Sequence, residues 1–445
     1  MTGRYGSGSV STRLYRIAEM ARRSPEKVIT TLAHHVDMAW MYRAHELTRK
    51  GGATGIDRMT AEEYERGLGS NLADLLERFK SGRYHAPPVR RVHIPKGNTG
   101  KTRPIGVPTF EDKVLQRAVA MLLEAVYEQD FLECSYGSRP GRSAHQALER
   151  LWKGLMDMGG CWVVDLDIKS FYDTLDHGEL RGFLDQRVRD GVVRRAIDKW
   201  MRAGVMEEGS VSYPEAGTPQ GGVISPMLAN IYLHEVLDKW FGRDVKPRMR
   251  GECFMVRFAD DVVMVFQDEG DAKRVLGVLP KRLARYGLTM HPEKTRLVRF
   301  ERPAGRGGCK GPRSSSFDFL GFTHHWGRSR RGEWVVKQRT ARDRLMRAVA
   351  EAGDWIRRHR HQRVQRQQAR LVQVIRGHCS YYGITGNSKS LDRFRSAVIR
   401  TWWKWLKRRS QRSRMNWLRF KRLLQRYPLP TARAIHSVCC TAVKP

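Results

Sequence analysis

The sequence predicts an α+β fold. Between residues 162 and 168 apolar side chains alternate with acidic ones, and apolar runs at 254–259 and 262–266 flank an Asp-Asp pair. Both patterns are typical of short β-strands. From Thr340 onward the apolar residues recur with helical periodicity instead. Strands in the middle of the chain and helices near its end therefore indicate segregated β and α regions.

The remaining elements can be placed in chain order. A strand at 89–94 precedes a turn rich in Lys, Gly and Arg, and the stretch 301–316 is rich in Gly, Pro, Arg and Ser, which predicts a flexible loop. Helices are predicted over 12–22, 24–48, 61–80 and 110–127. The helical C-terminal region is predicted to break at Gly377, 383–387 and 428–430.

Two acidic clusters are the strongest candidates for chemistry. Asp165 and Asp167 share one face of the first predicted strand, and Asp260 and Asp261 lie between the other two. Carboxylates in an apolar setting are costly unless they hold cations, and oxygen ligands on short strands suit Mg²⁺. Two such ions about 3.5–4 Å apart are the working parts of a polymerase. The alternatives are an ordinary Asp-Asp turn and a solvated strand face.

A glycine-rich loop lies between the clusters. Residues 217–222 read Gly-Thr-Pro-Gln-Gly-Gly and lead into an apolar helical pattern that ends near Leu233. Glycine lets the backbone approach a ligand closely because no side chain intervenes.

These three segments, in this order, resemble reverse transcriptases, and specifically the group II intron reverse transcriptase/maturase family. Phe258-Ala259-Asp260-Asp261 is similar to the catalytic box, although tyrosine is more usual at position 258. Residues 167–177 are similar to the first aspartate motif, and 219–222 to the motif that grips the template.

The resemblance extends over nearly the whole chain. Similar segments lie at 51–57, 94–96, 100–108, 294–295 and 317–322, and the maturase-like segments lie at 381–383, 391–394 and 402–405. The resemblance implies a right-hand polymerase with an antiparallel palm sheet, followed by a helical thumb/maturase domain. We expect a mostly helical N-terminal extension over 1–80, fingers and palm over 81–325, and the thumb/maturase region with a short tail over 326–445.

The resemblance also implies the catalytic residues. Asp167, Asp260 and Asp261 would bind two Mg²⁺ ions, with Mn²⁺ as a substitute, and Asp165 competes with Asp167. The family places an aromatic residue five positions after the metal-binding aspartate, which selects Asp167 and makes Tyr172 the steric gate against ribonucleotides. The alternative for Tyr172 is an ordinary core position.

Four further residues are expected to contact the nucleotide or template. By resemblance, Lys96 and Arg103 would hold the incoming triphosphate, with Lys101 as a competitor, and arginine suits this role through its bidentate fork. Gln220 would lie beside the nascent base pair and Lys294 would assist the departure of pyrophosphate. The alternative for each is a contact with backbone phosphate.

Charge supports a nucleic-acid partner. The chain has 82 Lys/Arg against 46 Asp/Glu, and residues 341–445 hold 26 against 4, a net charge of +22. Such a surface neutralises phosphates and binds in a salt-dependent way. Here the candidate RNA-binding residues are Arg408, Arg409, Arg412 and Arg414. The nearby tryptophans would either stack on bases or belong to the core: Trp402, Trp403, Trp405 and Trp417.

Several classes of protein and site are not expected. No apolar run approaches the roughly 20 residues of a membrane span, and the N-terminus lacks the apolar segment of a secretory signal. The seven cysteines have no C-x-x-C spacing, so we expect reduced thiols, no zinc site and a cytoplasmic, nucleoid-associated protein. We also expect no target-strand endonuclease, so that the primer would come from a replication fork.

The expected function is therefore an RNA-directed DNA polymerase encoded by a group II intron that also acts as a maturase. Its expected partners are the intron RNA, a template RNA with its DNA primer, deoxynucleoside triphosphates and target DNA. Two alternatives remain open: a maturase that only binds RNA, and a reverse transcriptase taken over for repair or defence.

Overall fold

The structure is a computed structural model that describes residues 7–95, 102–207, 210–213, 216–217, 221–303, 315–410 and 415–436. Its mixture of helices and largely antiparallel sheets confirms the α+β class. Among the described helices, none is both long enough and apolar enough to cross a membrane.

The described residues form helices and strands that are numbered in chain order. The helices are α1 Ser7–Arg23, α2 Met38–Leu47, α3 Ala61–Glu65, α4 Leu68–Ser81, α5 Phe110–Tyr127, α6 Ala144–Met158, α7 Phe171–Thr174, α8 His177–Asp185, α9 Gly191–Met201, α10 Ser225–Leu233, α11 Glu269–Ala284, α12 Arg342–Arg358, α13 Val364–Tyr382, α14 Ser388–Lys407 and α15 Trp417–Arg426. The strands are β1 Val89–Pro95, β2 Thr102–Val107, β3 Gly160–Leu166, β4 Val205–Glu207, β5 Ser210–Ser212, β6 Cys253–Phe258, β7 Asp261–Phe266, β8 Arg296–Glu301, β9 Phe317–Phe319, β10 Phe322–Arg328 and β11 Trp334–Thr340.

The chain divides into two compact units. The first unit comprises Met1–Ala147 and Val164–Leu297, and the second comprises Leu148–Val163 and Val298–Pro445. Both candidate acidic clusters and the glycine-rich loop belong to the first unit, whereas the strongly basic C-terminal region belongs to the second.

One sheet of the first unit has the strand order β2-β1-β4-β5. β1 and β2 pair antiparallel from Arg90 opposite Val107 to Pro95 opposite Thr102, so that Arg103 lies opposite Ile94. The turn that joins the two strands, with Lys96 and Lys101, lies outside the described residues.

A second sheet has the strand order β6-β7-β3-β8. β6 and β7 form an antiparallel hairpin in which Phe258 pairs with Asp261, so Ala259 and Asp260 form its two-residue turn. The strands before and after this turn are almost entirely buried, since Val256 and the segment Val262–Phe266 have at most 1 % exposure. The apolar runs seen in the sequence are therefore the two core strands that carry the aspartates.

The predicted helix over 24–48 is wrong for residues 24–37 and is confirmed for Met38–Leu47. The chain forms a bridge from Ile29 to Val188 instead, and helix α2 begins only at Met38, where the Asp37 side chain accepts from the Trp40 nitrogen at 2.9 Å. The reason is tertiary, because Arg187 donates to the carbonyls of Ala21, Ser24 and Lys27 at 2.6–2.8 Å. These bonds hold the carbonyls in an irregular segment.

The other local predictions have different outcomes, and three of them are confirmed. Helix α5 has the predicted bounds, α1 contains the predicted 12–22, and β1 contains 89–94. The predicted helix over 61–80 is divided into α3 and α4 around Gly67. Most of the loop predicted at 301–316 lies outside the described residues.

The second unit combines a sheet of order β11-β10-β9 with helices α12 to α15. β9 and β10 are joined by Leu320 and Gly321, both with positive φ, as in tight two-residue hairpins. Asn387 fixes the start of α14: its Oδ1 accepts from the Thr340 nitrogen at 2.9 Å and its Nδ2 donates to the Tyr382 carbonyl at 2.8 Å. The break at 383–387 is thus confirmed.

The predicted break at Gly377 is wrong, because α13 runs through it from Val364 to Tyr382. A Cβ at Gly377 would meet no atom within 4 Å, and neither would one at Gly386, whose φ is +92°. The two glycines therefore differ in backbone conformation and not in the space around them.

This difference predicts opposite effects of alanine at the two positions. Gly377→Ala should raise the free energy of unfolding by about 0.5–1 kcal/mol, because alanine is the better helix former. Gly386→Ala should lower it by about 1–2 kcal/mol, because a Cβ disfavours positive φ. Urea denaturation followed by circular dichroism measures both. Equal effects of the two substitutions would contradict this interpretation of the backbone.

Candidate active site

The turn between β6 and β7 presents two carboxylates. Asp260 is half-buried and Asp261 is exposed, while the residue before them, Ala259, has a φ of +55°. A non-glycine residue in this region is strained by about 1–3 kcal/mol and persists only when its surroundings hold it there. Something must therefore hold the backbone at Ala259.

A buried polar network lies directly behind this turn. Arg257, fully buried on β6, donates from Nη1 to the Ala259 carbonyl at 3.1 Å and to Asn230 Oδ1 at 2.9 Å. Its Nε and Nη2 donate to the two carboxylate oxygens of Asp238 at 2.7 and 2.6 Å. Three of these four hydrogen bonds are buried, and the bond to the Ala259 carbonyl is partly buried.

The ion pair keeps its charges despite burial. Burial pushes the pKa of Asp238 upward, but the Arg257 charge and hydrogen bonds outweigh burial and hold the pKa below its ordinary value. His234 Nδ1 lies 3.7 Å from the Asp238 carboxylate. The ion pair therefore joins β6 to the π-helical turn His234–Asp238, which continues α10 and carries Asp238.

The segment that precedes helix α6 completes the packing around the turn. Asn230 Nδ2 donates to the Gly137 carbonyl at 2.8 Å, and a Cβ on Gly137 would lie 2.2 Å from the Ala259 nitrogen. Position 137 therefore requires glycine, since any side chain would displace the strained turn.

Asp167 lies just after β3 and is held by its backbone. Its carbonyl accepts from the His291 nitrogen at 2.8 Å, and its nitrogen lies 3.3 Å from Thr295 Oγ1. The Lys294 ammonium lies 3.2 Å from both carboxylate oxygens of Asp167. The competitor, Asp165, pairs with Arg296 at 3.0 Å instead.

Tyr172 lies in the short helix α7 and is half-buried. Burial raises its pKa to about 12; the charge of Asp260 adds to this rise, while Arg103 and Arg257 oppose it. These electrostatic effects require proximity. Tyr172 therefore lies within electrostatic range of Arg103 and of Asp260, two predicted site residues from other parts of the chain.

The described ends of the glycine-rich loop pack against two elements of the site. A Cβ on Gly217 would lie 2.8 Å from the Tyr172 carbonyl oxygen, and one on Gly221 would lie 2.6 Å from the Gly106 carbonyl oxygen on β2. Both glycines have positive φ, +90° and +118°. The loop thus connects the neighbourhood of Tyr172 to the strand that carries Arg103, whereas Gln220 lies outside the described residues.

The acidic side chains fit the needs of Mg²⁺. Within the described part of the chain, no three His, Cys, Asp or Glu side chains lie together closely enough to form a metal cage. Mg²⁺ does not need one, because it commonly binds through one or two carboxylates and takes its other ligands from water and substrate phosphates. The oxygen donors of Asp167, Asp260 and Asp261 are of the kind that Mg²⁺ prefers, and pairs of them would be enough for such an ion.

The basic candidates of the second unit differ in their surroundings. Arg409 donates to the carbonyls of Arg360 and Gln362, and burial lowers the pKa of its guanidinium. Arg408 is exposed, with its guanidinium carbon 5.8 Å from the centroid of Trp405. Arg412 and Arg414 lie outside the described residues. Of the described pair, the fork of Arg409 is thus directed inward.

The four tryptophans also differ. Trp402 is fully buried and donates to Gln367 Oε1 at 2.8 Å, so it belongs to the core of the second unit. Trp417 is 40 % exposed and meets Trp403 edge to face at 5.2 Å. Lys407 lies 5.8 Å from the Trp403 ring, and Trp405 has Lys404 and Arg408 at 5.8 Å. The partly exposed rings are therefore surrounded by cations.

Sequence reasoning missed Asn230, Asp238 and Arg257. A signal was present, since Arg257 is the only charged residue in a strand that otherwise reads Cys-Phe-Met-Val-Phe. A charge at such a position predicts a buried partner, because an unpaired charge in a core is too costly. The identity of that partner is not encoded locally.

Comparison with known proteins identifies the family of the chain. A family model described as reverse transcriptase (RNA-dependent DNA polymerase) matches residues 94–324. The group II intron-encoded protein LtrA of Lactococcus lactis subsp. cremoris is 38 % identical over 232 residues, which are 51 % of this chain and 38 % of that protein. Protein YkfC of Escherichia coli strain K12 is 31 % identical over 364 residues, 74 % of this chain and 91 % of YkfC. The chain thus spans less than half of LtrA and most of YkfC.

A plant protein extends the comparison. Nuclear intron maturase 2, mitochondrial, of Arabidopsis thaliana is 27 % identical over 249 residues, which are 46 % of this chain and 32 % of that protein. The fold and site define a protein of the reverse transcriptase class. Within that class, the chain belongs to the group II intron reverse transcriptase/maturase family.

The two ion pairs predict which aspartate binds metal. If Asp167 is the ligand, Lys294→Met should tighten Mn²⁺ binding in the absence of nucleotide, because the ammonium competes with the metal for the same oxygens. Exposed ion pairs contribute about 0.2–1 kcal/mol, so the expected gain is about 1.4- to 5-fold. Electron paramagnetic resonance titration of free Mn²⁺ measures it.

Arg296→Met is the matched control, since Arg296 is paired with Asp165 in the same way and both cationic side chains are 52 % exposed. It should leave Mn²⁺ affinity within the error of the parent. Tighter binding in Arg296→Met and not in Lys294→Met would assign the metal to Asp165.

Proposed function

We propose that the chain is an RNA-directed DNA polymerase encoded by a group II intron. The observation that carries this proposal is the strained turn at Ala259, which presents Asp260 within electrostatic range of Tyr172, as Arg103 also is, with Asp261 next in the chain. Carboxylates near an aromatic ring and an arginine that can bind phosphate suit the transfer of a deoxynucleotide. Membership of the family and the match over residues 94–324 support the same activity.

The proposed architecture is a right hand. The sheet β2-β1-β4-β5 would be the fingers and the sheet β6-β7-β3-β8 the palm, because they carry Arg103 and the aspartates respectively. Helices α12 to α15 would be the thumb and maturase region. The N-terminal extension would cover residues 1–80.

Each site residue has a proposed part in nucleotidyl transfer. Asp167, Asp260 and Asp261 would hold two Mg²⁺ ions, which when bound activate the primer 3′-hydroxyl and stabilise charge at the α-phosphate and on the leaving pyrophosphate. Arg103 would bind the triphosphate through its fork, together with Lys96. The Tyr172 ring would occupy the space of a ribose 2′-hydroxyl.

The Lys294 ammonium is proposed to act on the leaving group. It lies at the Asp167 carboxylate, where its charge is available to phosphate oxygens that approach the same place. Gln220 would contact the template beside the nascent pair, since the loop that contains it begins near Tyr172 and ends against β2.

We further propose that the second unit binds the intron RNA and so acts in splicing. Residues 341–445 have a net charge of +22, and partly exposed tryptophan rings on α14 have lysine and arginine around them. Phosphate contacts and aromatic stacking are the main means of RNA recognition. Template RNA with its DNA primer, deoxynucleoside triphosphates and target DNA are the other proposed partners.

Substitution of a proposed metal ligand distinguishes a polymerase from a protein that only binds RNA. Asp167→Asn and Asp260→Asn should each lower primer extension at least about 100-fold, because metal-ion catalysis supplies several kcal/mol and each 1.36 kcal/mol is tenfold in rate. Intron RNA affinity should change less than about twofold, since the charge excess lies elsewhere. Single-turnover extension and filter binding measure the two quantities.

Asp165→Asn is the control and should retain extension within a few-fold of the parent. Full activity in both ligand variants would refute the site. No extension by the parent chain, together with tight RNA binding, would favour a maturase that only binds RNA.

Tyr172→Ala should raise the use of ribonucleotides relative to deoxynucleotides, because it removes the ring that excludes the 2′-hydroxyl. Tyr172→Phe keeps the ring and should therefore keep the selectivity. Because burial raises the pKa of Tyr172 to about 12, its hydroxyl stays neutral and the selectivity of the parent should be constant from pH 7 to 10. Single-nucleotide incorporation with paired dNTP and rNTP measures the ratio. An unchanged ratio in Tyr172→Ala would place the gate at another residue.

The arginine cluster predicts two separable effects. Replacing Arg408, Arg412 and Arg414 by Ala should weaken intron RNA binding and flatten its log-affinity against log-salt slope by about 0.7–0.9 for each phosphate that the protein no longer neutralises. Arg409→Ala should instead lower thermal stability by about 1–3 kcal/mol, since it removes the donor of two backbone carbonyls. An unchanged salt slope in the triple variant would remove this cluster from the RNA-binding surface.

A further inference from the structure

Arg257 makes an ion pair that stability alone does not require. Both Arg257 and Asp238 are fully buried, with 0 % of either side chain exposed. The desolvation of two buried charges offsets most of their attraction, and well-packed apolar residues in their place are often as stable or more stable. A buried ion pair that is anchored in an apolar strand is therefore expected to do more than stabilise the fold.

The geometry points to the turn that follows. Only Nη1 of Arg257 remains after the two bonds to Asp238, and it contacts the Ala259 carbonyl and Asn230 Oδ1. The Ala259 carbonyl belongs to the peptide bond that enters Asp260. A hydrogen bond to that oxygen fixes the plane of this peptide, because the peptide unit is planar. It thereby restricts the direction in which the Asp260 side chain points.

The same network contacts the turn from a second side. Asn230 also donates to Gly137, whose Cα packs against the Ala259 nitrogen. The nitrogen and the carbonyl of Ala259 are thus both constrained, one by packing and one by a hydrogen bond. This double constraint is what a non-glycine residue with a φ of +55° needs in order to persist.

We propose that Arg257, with Asp238 and Asn230, is a positioning residue that holds the Ala259 turn so that Asp260 and Asp261 face the metal site. The proposal rests on the proposed polymerase function. Lysine cannot replace Arg257, because an ammonium is a point charge and lacks the fork that binds Asp238 while a third nitrogen binds the turn. The proposed role therefore requires the planar fork of the guanidinium as well as its charge.

The test replaces the pair by apolar residues of similar size, Arg257→Met with Asp238→Leu. A matched control, Arg187→Met with Asp130→Leu, removes another ion pair of the first unit, whose side chains are 6 % and 17 % exposed and whose arginine donates to the carbonyls of Ser24 and Lys27. Both proteins are compared with the parent at a temperature where thermal melts show each to be folded. The readouts are Mn²⁺ affinity without nucleotide, kcat and KM for dNTP incorporation, and the Mg²⁺ concentration for half-maximal rate.

We expect the Arg257/Asp238 variant to lose at least tenfold in kcat and threefold in Mn²⁺ affinity, with a raised Mg²⁺ requirement and little change in KM. The control should keep all four values within twofold of the parent. Adding Ala259→Gly to the variant should restore part of the lost Mn²⁺ affinity, because glycine adopts positive φ without strain. A purely structural role predicts no such rescue.

Asn230→Ala keeps both charges and provides a second test if the apolar pair fails to fold. It should lower kcat and Mn²⁺ affinity in the same direction by a smaller factor. A folded Arg257/Asp238 variant, or a folded Asn230→Ala, with parental kcat and Mn²⁺ affinity would overturn the positioning role. Absence of primer extension in the parent would refute the proposed function instead, and the Mn²⁺ measurements would still decide the role of Arg257.

Discussion

The buried ion pair between Arg257 and Asp238 is the constraint on which the rest of the site depends. Because neither charge can remain unpaired in the core, the π-helical end of α10 must lie against β6. Helix α10 also carries Asn230 and begins four residues after Gly221. Helix α10 thereby links the glycine-rich loop to the Ala259 turn, although about 40 residues separate the loop from the turn in the chain.

The predicted site residues carry charges of both signs. Asp167 faces the Lys294 ammonium, and Asp260 lies at the strained turn near Tyr172 and Arg103. Cations and carboxylates in this balance suit a substrate that brings phosphates and metal ions together, since each would satisfy the opposite charge. In the proposed function the protein would supply the position and sign of these charges, and water and substrate phosphates would supply the remaining metal ligands.

The second unit shows how one residue type takes two roles. Arg408 and Arg409 are adjacent at the end of α14, yet Arg408 is exposed beside Trp405 while Arg409 donates to backbone carbonyls near the end of α12. The same division separates Trp402, which is core, from Trp403 and Trp405, which are partly exposed. A count of positive charge thus overstates the surface that is free to contact RNA.

Local patterns in the sequence were sufficient for the α+β class, for α5 and for the strands around Asp260, because these depend on apolar periodicity over a few residues. The glycine-rich loop and the acidic motifs also indicated the reverse transcriptase class, because they follow one another in the order that the family has. Only the tertiary structure decided that residues 24–37 form no α-helix, that Asp167 pairs with Lys294 and that Arg257 holds Ala259. Most of these outcomes rest on contacts between residues far apart in the chain, such as Arg187 with Ala21 and Lys294 with Asp167. No local pattern encodes which distant group will satisfy a buried charge or carbonyl, because that choice is made by the packing of the whole unit.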